Sequence, residues 1–182
     1  LLTRLPPVGR RFDTHSQGIW SDTVDGIRYC ATHRAIRPLV GLGLMGNFLY
    51  SSAIGLVFLH ARNTCHLPVS WIGVALSIGA SGFLLGAMVF PWLHQRHGER
   101  GSHLTAVGLT ATGWALVGLS GLANDHMPSA AMLSIGMLCT AAGAFLSGVV
   151  LTTLRQQFTP SEMHGRVSAF TRTVSWIGMP LG

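Results

Sequence analysis

Lysine is absent from this chain, whose twelve cationic residues are all arginine. Charge of either sign is scarce, at 10% of 182 residues, where a water-soluble domain carries about 25%. That is too little polar surface for a soluble fold of this length to cover itself. The arginine-only inventory serves no evident structural purpose and reads as the codon bias of a high-GC, bacterial genome. Cysteine is nearly as rare: Cys30, Cys65 and Cys139 lie far apart and form no CxxC pair, which argues against a zinc site or a disulfide framework. Neither a metal nor a cofactor is therefore expected. The first residues show no initiator methionine and no n-region or h-region of a signal peptide. The last, "WIGMPLG", fall inside an apolar segment, so the chain reads as a piece of a longer protein.

What the sequence does have is long apolar runs. A bilayer core needs about 20 mostly apolar residues per helix, and four stretches reach that length: Pro38–Leu59, Val69–Leu93, Leu104–Ala123 and Pro128–Leu154. None of them contains Asp, Glu, Arg or Lys. A fifth apolar run opens near Phe170. This pattern predicts an all-α, polytopic membrane bundle over residues 36–182, preceded by a more polar segment over 1–35. Within that segment residues 1–20 read as a linker, and "SDTVDGIRYCATHRAIRP" reads as a lead-in helix.

The charge is confined to the ends of these runs. Arg4, Arg10, Arg11, Arg28, Arg34, Arg37, Arg96, Arg100, Arg155, Arg166 and Arg172 fall on one side of the alternating spans, and only Arg62 falls on the other. Cytoplasmic loops are enriched in positive residues, so the N-terminal segment and a turn over 94–103 are predicted to be cytoplasmic. A pI of 10.6 ordinarily points to nucleic acid, but these arginines form no continuous basic face, and nucleic acid is excluded as a partner. In "FTPSEMHGRV", Thr159 and Glu162 have capping-box spacing with Pro160 at the first helical position. Glu162 and Arg166 then stand four apart, in the favourable order for a helical ion pair.

Taken together, these residues resemble the C-terminal half of a Major Facilitator Superfamily transporter. Gly86, Arg96, Gly98 and Arg100 match the superfamily's cytoplasmic loop signature, with Gln95 where an acidic residue is usual. The segment "VDGIRYCATHRAIRPL" is similar to the lead-in of the branch that contains enterobactin exporters and macrolide-efflux-like proteins. So is the series Leu154, Arg155, Gln156, Thr159, Pro160, Gly165, Arg166, Val167, Ala169 and Arg172, and the closing Trp176, Pro180, Leu181 and Gly182. The resemblance implies that the four complete spans are helices seven to ten of twelve, with the start of helix eleven after them. It also implies a missing N-terminal half, a bacterial inner-membrane location, and a small-molecule substrate exported by alternating access against protons.

Such transporters bind substrate near the membrane midplane, so polar residues at mid-span are the candidates. Asn47, Tyr50 and Ser51 share one helical face at i, i+3 and i+4 and offer an amide and hydroxyls to a substrate; the alternative is a packing seam in which Asn47 bonds a neighbouring helix. Gly73, Ser77 and Ser81, and separately Gly79, Gly82 and Gly86, read as close-approach stripes between helices. Arg96, Arg100, Arg155, Glu162 and Arg166, with Gly86, Gly98 and Gly165, form the expected cytoplasmic gate, where differential contacts bias a two-state equilibrium; the alternative is that the arginines are only topological anchors. His94, His97 and His103 read as solvated loop histidines, and His60 and His66 as interfacial. The spans hold no carboxylate to carry a proton, which places any coupling residue outside them, and no cluster of ionisable groups for an enzyme. No catalytic residue is expected. The other reading is a non-transporting membrane receptor or assembly subunit on the same helices.

Overall fold

The computed structural model describes residues 19–123 and 125–181, with the side chains of 19–23, 25, 162, 178, 179 and 181 outside that description. The linker expected over 1–20 falls almost wholly beyond it. Five helices follow in order: α1 (Ile19–Thr32), α2 (Ile36–Asn63), α3 (Val69–Leu119), α4 (His126–Gln157) and α5 (His164–Leu181). Among the described residues there is no strand. Three helices, α2, α3 and α4, are long and apolar enough to cross a membrane.

α3 is really two crossings. At about 1.5 Å per residue, 51 residues extend far beyond a hydrocarbon core of about 30 Å. The helical geometry breaks at Gly98, with φ 65° and ψ −170°, a conformation that is essentially glycine-only. Contacts with α4 show the reversal. Along the first leg, Gly79, Gly82 and Gly86 meet Met137, Leu138 and Ala142 in rising order, so this leg runs parallel to α4. Along the second leg, Gly113 meets Gly136, whereas Gly143 meets Ala106 and Thr110, so this leg is antiparallel. The legs therefore form a hairpin. Residues 94–103, expected as a loop, are helical up to a turn at the one residue Gly98.

Between helices in lipid there is little hydrophobic drive, so close packing at small residues carries the association. That is what joins α4 to both legs. A Cβ at Gly79 would stand 2.6 Å from the Met137 Cβ, and one at Gly136 would stand 2.8 Å from the Gly113 carbonyl oxygen. The other stripe does not behave this way: Gly73 faces open space and Ser77 is exposed, its hydroxyl turned back to the Gly73 carbonyl. The first span's glycines also divide, with Gly43 against the Ser175 hydroxyl and Gly55 in the open.

α2 stands apart from this trio. Of its 28 residues only Ile36, Val57 and Ala61 are buried, and Leu42, Met45, Leu49 and Leu56 are exposed. One end of α2 is fixed by Val57 and Ala61, which join Cys65, Leu67, Ile72, Val117 and Leu133 in the largest apolar cluster. The helix closes there with the Thr64 and Cys65 amides both donating to the His60 carbonyl, and His66 in the left-handed region (φ 51°) turns the chain so that the Leu67 amide reaches the Ala61 carbonyl, six residues back. At the other end, Ile36 packs with Cys30 and Val167. Since Ile36 lies by Val167 and Gly43 by Ser175, α2 and α5 run parallel.

Candidate functional site

Two groups of polar side chains stand out, one midway along α2 and one where the Gly98 turn meets the end of α4. In the first, Asn47 is half-buried and its Nδ2 donates to the Ser175 carbonyl of α5 at 3.0 Å. Tyr50, one turn on, sets its ring edge-on to Trp114 of the second α3 leg, with centroids 6.5 Å apart. Ser51 is half-buried beside them, and the next hydroxyl, Ser52, bonds its own helix at the Phe48 carbonyl. The three candidates thus share a face, as the spacing predicts, but Asn47 and Tyr50 engage different neighbours. Elsewhere an open groove of about 540 Å³ runs along α4, lined by Phe145, Gly148, Thr152, Thr153 and Gln156 among others. Nothing in the sequence singled out this groove, because its polar residues are scattered among small apolar ones.

The second group is charged. Arg96 lies over the exposed Trp92 ring, 5.5 Å from its centroid, a cation–π contact. Glu99, next to the turn, accepts from Gln157 Nε2 at 2.5 Å, tying the hairpin apex to the end of α4. The turn itself is closed by the Ser102 hydroxyl, which donates to the Gly98 carbonyl at 2.7 Å. Arg100 is exposed, and Gly86 lies deeper, against Ala142 and Phe145. Gly98 and Arg96 therefore flank one tight structure, whereas Gly86 belongs to the packing seam.

Arg155 closes the same end from α4. Its Nη1 donates to the Thr171 hydroxyl of α5 at 2.7 Å. Tyr29 of α1 donates its hydroxyl to the Phe158 carbonyl at 2.9 Å, just past the end of α4. Arg166 packs its Cβ at Gly26 of α1, where a side chain would be crowded at 3.2 Å, and Gly165 faces open space. Cys30 is buried in this corner, and burial pushes its thiol pKa up, an effect the Arg155 guanidinium partly counters.

The expected capping box does not form at Thr159. Its hydroxyl donates backwards to the Arg155 carbonyl at 2.7 Å, and Pro160 takes the N-cap position of a short 3-10 turn, Ser161–Met163. The carbonyls left open at the end of α4 compete for that hydroxyl and win it. The Glu162 side chain, and with it the predicted pair to Arg166, lies outside the described residues. His164, assigned no role from sequence, bonds the Thr159 carbonyl through Nε2 at 2.6 Å. His94 and His103 are half-buried rather than solvated, because the legs stay helical up to the turn; His94 stacks on Phe90. Among the described residues no three His, Cys, Asp or Glu side chains gather as a metal would require. The sequence missed Glu99–Gln157, Tyr29 and Thr171, whose partners lie in other helices.

Long apolar helices, charge held at one turn and glycine-mediated packing define a multi-pass α-helical membrane protein. A family model described as Major Facilitator Superfamily matches residues 1–182, and the chain belongs to that superfamily, whose members are membrane transporters rather than enzymes. No curated protein and no solved structure matches the chain.

Proposed function

We propose that this chain is part of a bacterial inner-membrane exporter of drugs, siderophores or other amphipathic small molecules, working by alternating access and driven by protons. The observation that carries the reading is the contrast between its two regions. The α3–α4 trio is locked by glycine contacts, whereas α2 exposes most of its length and meets its neighbours through Asn47, Tyr50 and its two ends. The exposed length of α2 is surface left for lipid or for the N-terminal half, and its polar face Asn47–Tyr50–Ser51 is where a translocated molecule could meet the locked block.

In this reading the Gly98 turn, Arg96, Arg100, the end of α4 and the start of α5 face the cytoplasm, the side the arginine bias favours. Glu99–Gln157 and Arg155–Thr171 hold that side together. Asn47, Tyr50 and Ser51 offer polar groups at mid-membrane depth, with the coupling carboxylate supplied by the N-terminal half. The test expresses the complete protein in cells lacking their main efflux pumps. Retention of hydrophobic dyes, macrolides and a catechol siderophore is followed with and without a protonophore. Lower retention abolished by the protonophore is the expected result. Unchanged retention of every compound, with the protein present in the membrane, would favour a non-transporting receptor or assembly subunit.

A further inference from the structure

At the end of the bundle opposite the Gly98 turn, three side chains converge that the transport reading does not use. His60 stands in the last turn of α2, Cys65 just past that helix, and Ser120 just past the second leg of α3. Their atoms form a closed triangle: His60 Nε2 lies 3.6 Å from Cys65 Sγ and 3.2 Å from Ser120 Oγ, and the sulfur lies 3.4 Å from that hydroxyl. Cys65 and Ser120 are buried, and His60 is half-buried. The imidazole is seated against Gly121, where a Cβ would stand 3.0 Å from its Cε1. The Ser120 hydroxyl donates to the Val117 carbonyl at 2.7 Å, so its lone pairs are left for the other two atoms. In the tautomer with the ring proton on Nδ1, the thiol proton is the one hydrogen among three electron-rich atoms.

A small cation can take the place of that proton. A point about 2 Å from each of the three atoms lies inside the triangle, and metal ions bind imidazole nitrogen and thiolate sulfur at about 2.0–2.3 Å. The donors and their surroundings select the ion. Among the described residues no carboxylate joins the triangle, and the cluster around Cys65 is apolar, with Val57, Ala61, Leu67 and Val117. One thiolate cancels the charge of a monovalent cation, whereas a divalent one would leave a net positive charge in apolar surroundings, which is costly. One thiolate, one imidazole and a hydroxyl also fall short of the four ligands of a structural zinc site, while soft thiolate ligands select Cu(I). We propose that His60, Cys65 and Ser120 form a binding site for a soft monovalent cation, Cu(I). Binding exchanges one ion for one proton: the Cys65 S–H bond breaks, an S–Cu bond forms, and the proton leaves to solvent with no change in oxidation state. His60 Nε2 and Ser120 Oγ supply the other two electron pairs. Since its ligands come from the ends of α2 and α3, the ion ties α2 to the α3–α4 block.

The test uses the full-length protein in detergent under reducing conditions. Cu(I) is supplied as its coloured bicinchoninate complex, and the loss of colour counts the ions that the protein removes. The parent is expected to remove one equivalent more than Cys65→Ser. His60→Gln, at a half-buried position, is expected to weaken that equivalent about tenfold or more, since even outer-shell partners of a metal cost about 10–100-fold. Cys30→Ser and Cys139→Ser, which alter the other two free thiols, are expected to bind as the parent does. Cu(I) is also expected to raise the midpoint of thermal unfolding of the parent and not that of Cys65→Ser. Equal uptake by the parent and Cys65→Ser, or undiminished affinity in His60→Gln, would overturn the proposal. So would uptake of one equivalent of Zn(II) where Cu(I) is refused. If Cys65→Ser does not fold, His60→Gln decides alone.

Discussion

The side-chain amide of Asn47 donates to the backbone carbonyl of Ser175, a bond of 3.0 Å between residues 128 positions apart. It joins two parallel helices, and it sets α2 against α5 just where Gly43 lets the Ser175 hydroxyl approach. The same amide was the leading candidate for substrate contact.

Asn47→Ala separates these roles. Interhelical hydrogen bonds in membranes average about 0.6 kcal/mol and reach about 1.7, so a modest loss of stability in reversible unfolding is expected. If the amide serves α5 alone, transport of every substrate falls in proportion to folded protein. A changed KM for one substrate and not another would show instead that Asn47 reaches the substrate.

Gly98→Ala should destabilise by about 1–3 kcal/mol, since its backbone conformation is closed to residues with a Cβ. Gly118→Ala, on the same leg in open space, supplies the control and should be neutral or slightly stabilising. Equal unfolding midpoints for the two variants would contradict the one-residue turn.

Gly136→Leu tests the seam between α4 and the second leg. The added side chain must displace the Gly113 carbonyl or Val117, and overpacking of this kind costs about 1–3 kcal/mol. Gly73→Leu, facing open space on the first leg, should unfold like the parent. Comparing the pair by thermal unfolding in detergent distinguishes a packed face from a lipid-facing one.

Gln157→Ala removes the bond to Glu99 that ties the hairpin apex to α4. A hydrogen bond to a charged group contributes about 1.5–3 kcal/mol when well ordered, and less at this exposed position. The expected outcome is faster labelling of a cysteine placed at Thr152, with little change in unfolding midpoint. Unaltered labelling would remove this contact from any gating role.

Cys30 gives a pH dependence with a definite sign. Burial raises its pKa above the ordinary value of 9.0, and Arg155 pulls the other way. The stability gained by keeping the thiol neutral is complete below that ordinary value and is lost as pH rises through the higher folded one. Maleimide should therefore label Cys30 slowly at neutral pH and faster as pH climbs, and Arg155→Gln should slow it further. Faster labelling in that variant would mean that the guanidinium does not stabilise the thiolate.

Crossing segments were legible because hydropathy and length are properties of contiguous residues: α2 and α4 begin and end within a few positions of the runs Pro38–Leu59 and Pro128–Leu154. The glycine stripe Gly79–Gly82–Gly86 was legible too, since its spacing alone puts it on one face. The companion stripe Gly73–Ser77–Ser81, at intervals of four, also shares a face, yet Gly73 lies in open space and Ser77 is exposed. Spacing names a face but not what covers it. The Thr159 capping box failed for a related reason, because the hydroxyl stands between the open carbonyls ending α4 and the open amides of the following turn, and it donates to the former. Glu99–Gln157 and Arg155–Thr171 depend on how separate helices are juxtaposed, which no local pattern encodes.

The parallel pairing of α2 with α5 sets an order of assembly. The trio built from α3 and α4 joins neighbours in the chain, and contacts between neighbours form early. α2 is made before any of them, yet the helix that receives its Asn47 amide is made after all of them. Until Ser175 has been made, α2 must wait in the bilayer with a polar amide unsatisfied. Synthesis that stalls between α4 and α5 would leave α2 joined to the finished trio at one end only, through Val57 and Ala61, a species that quality-control proteases could recognise.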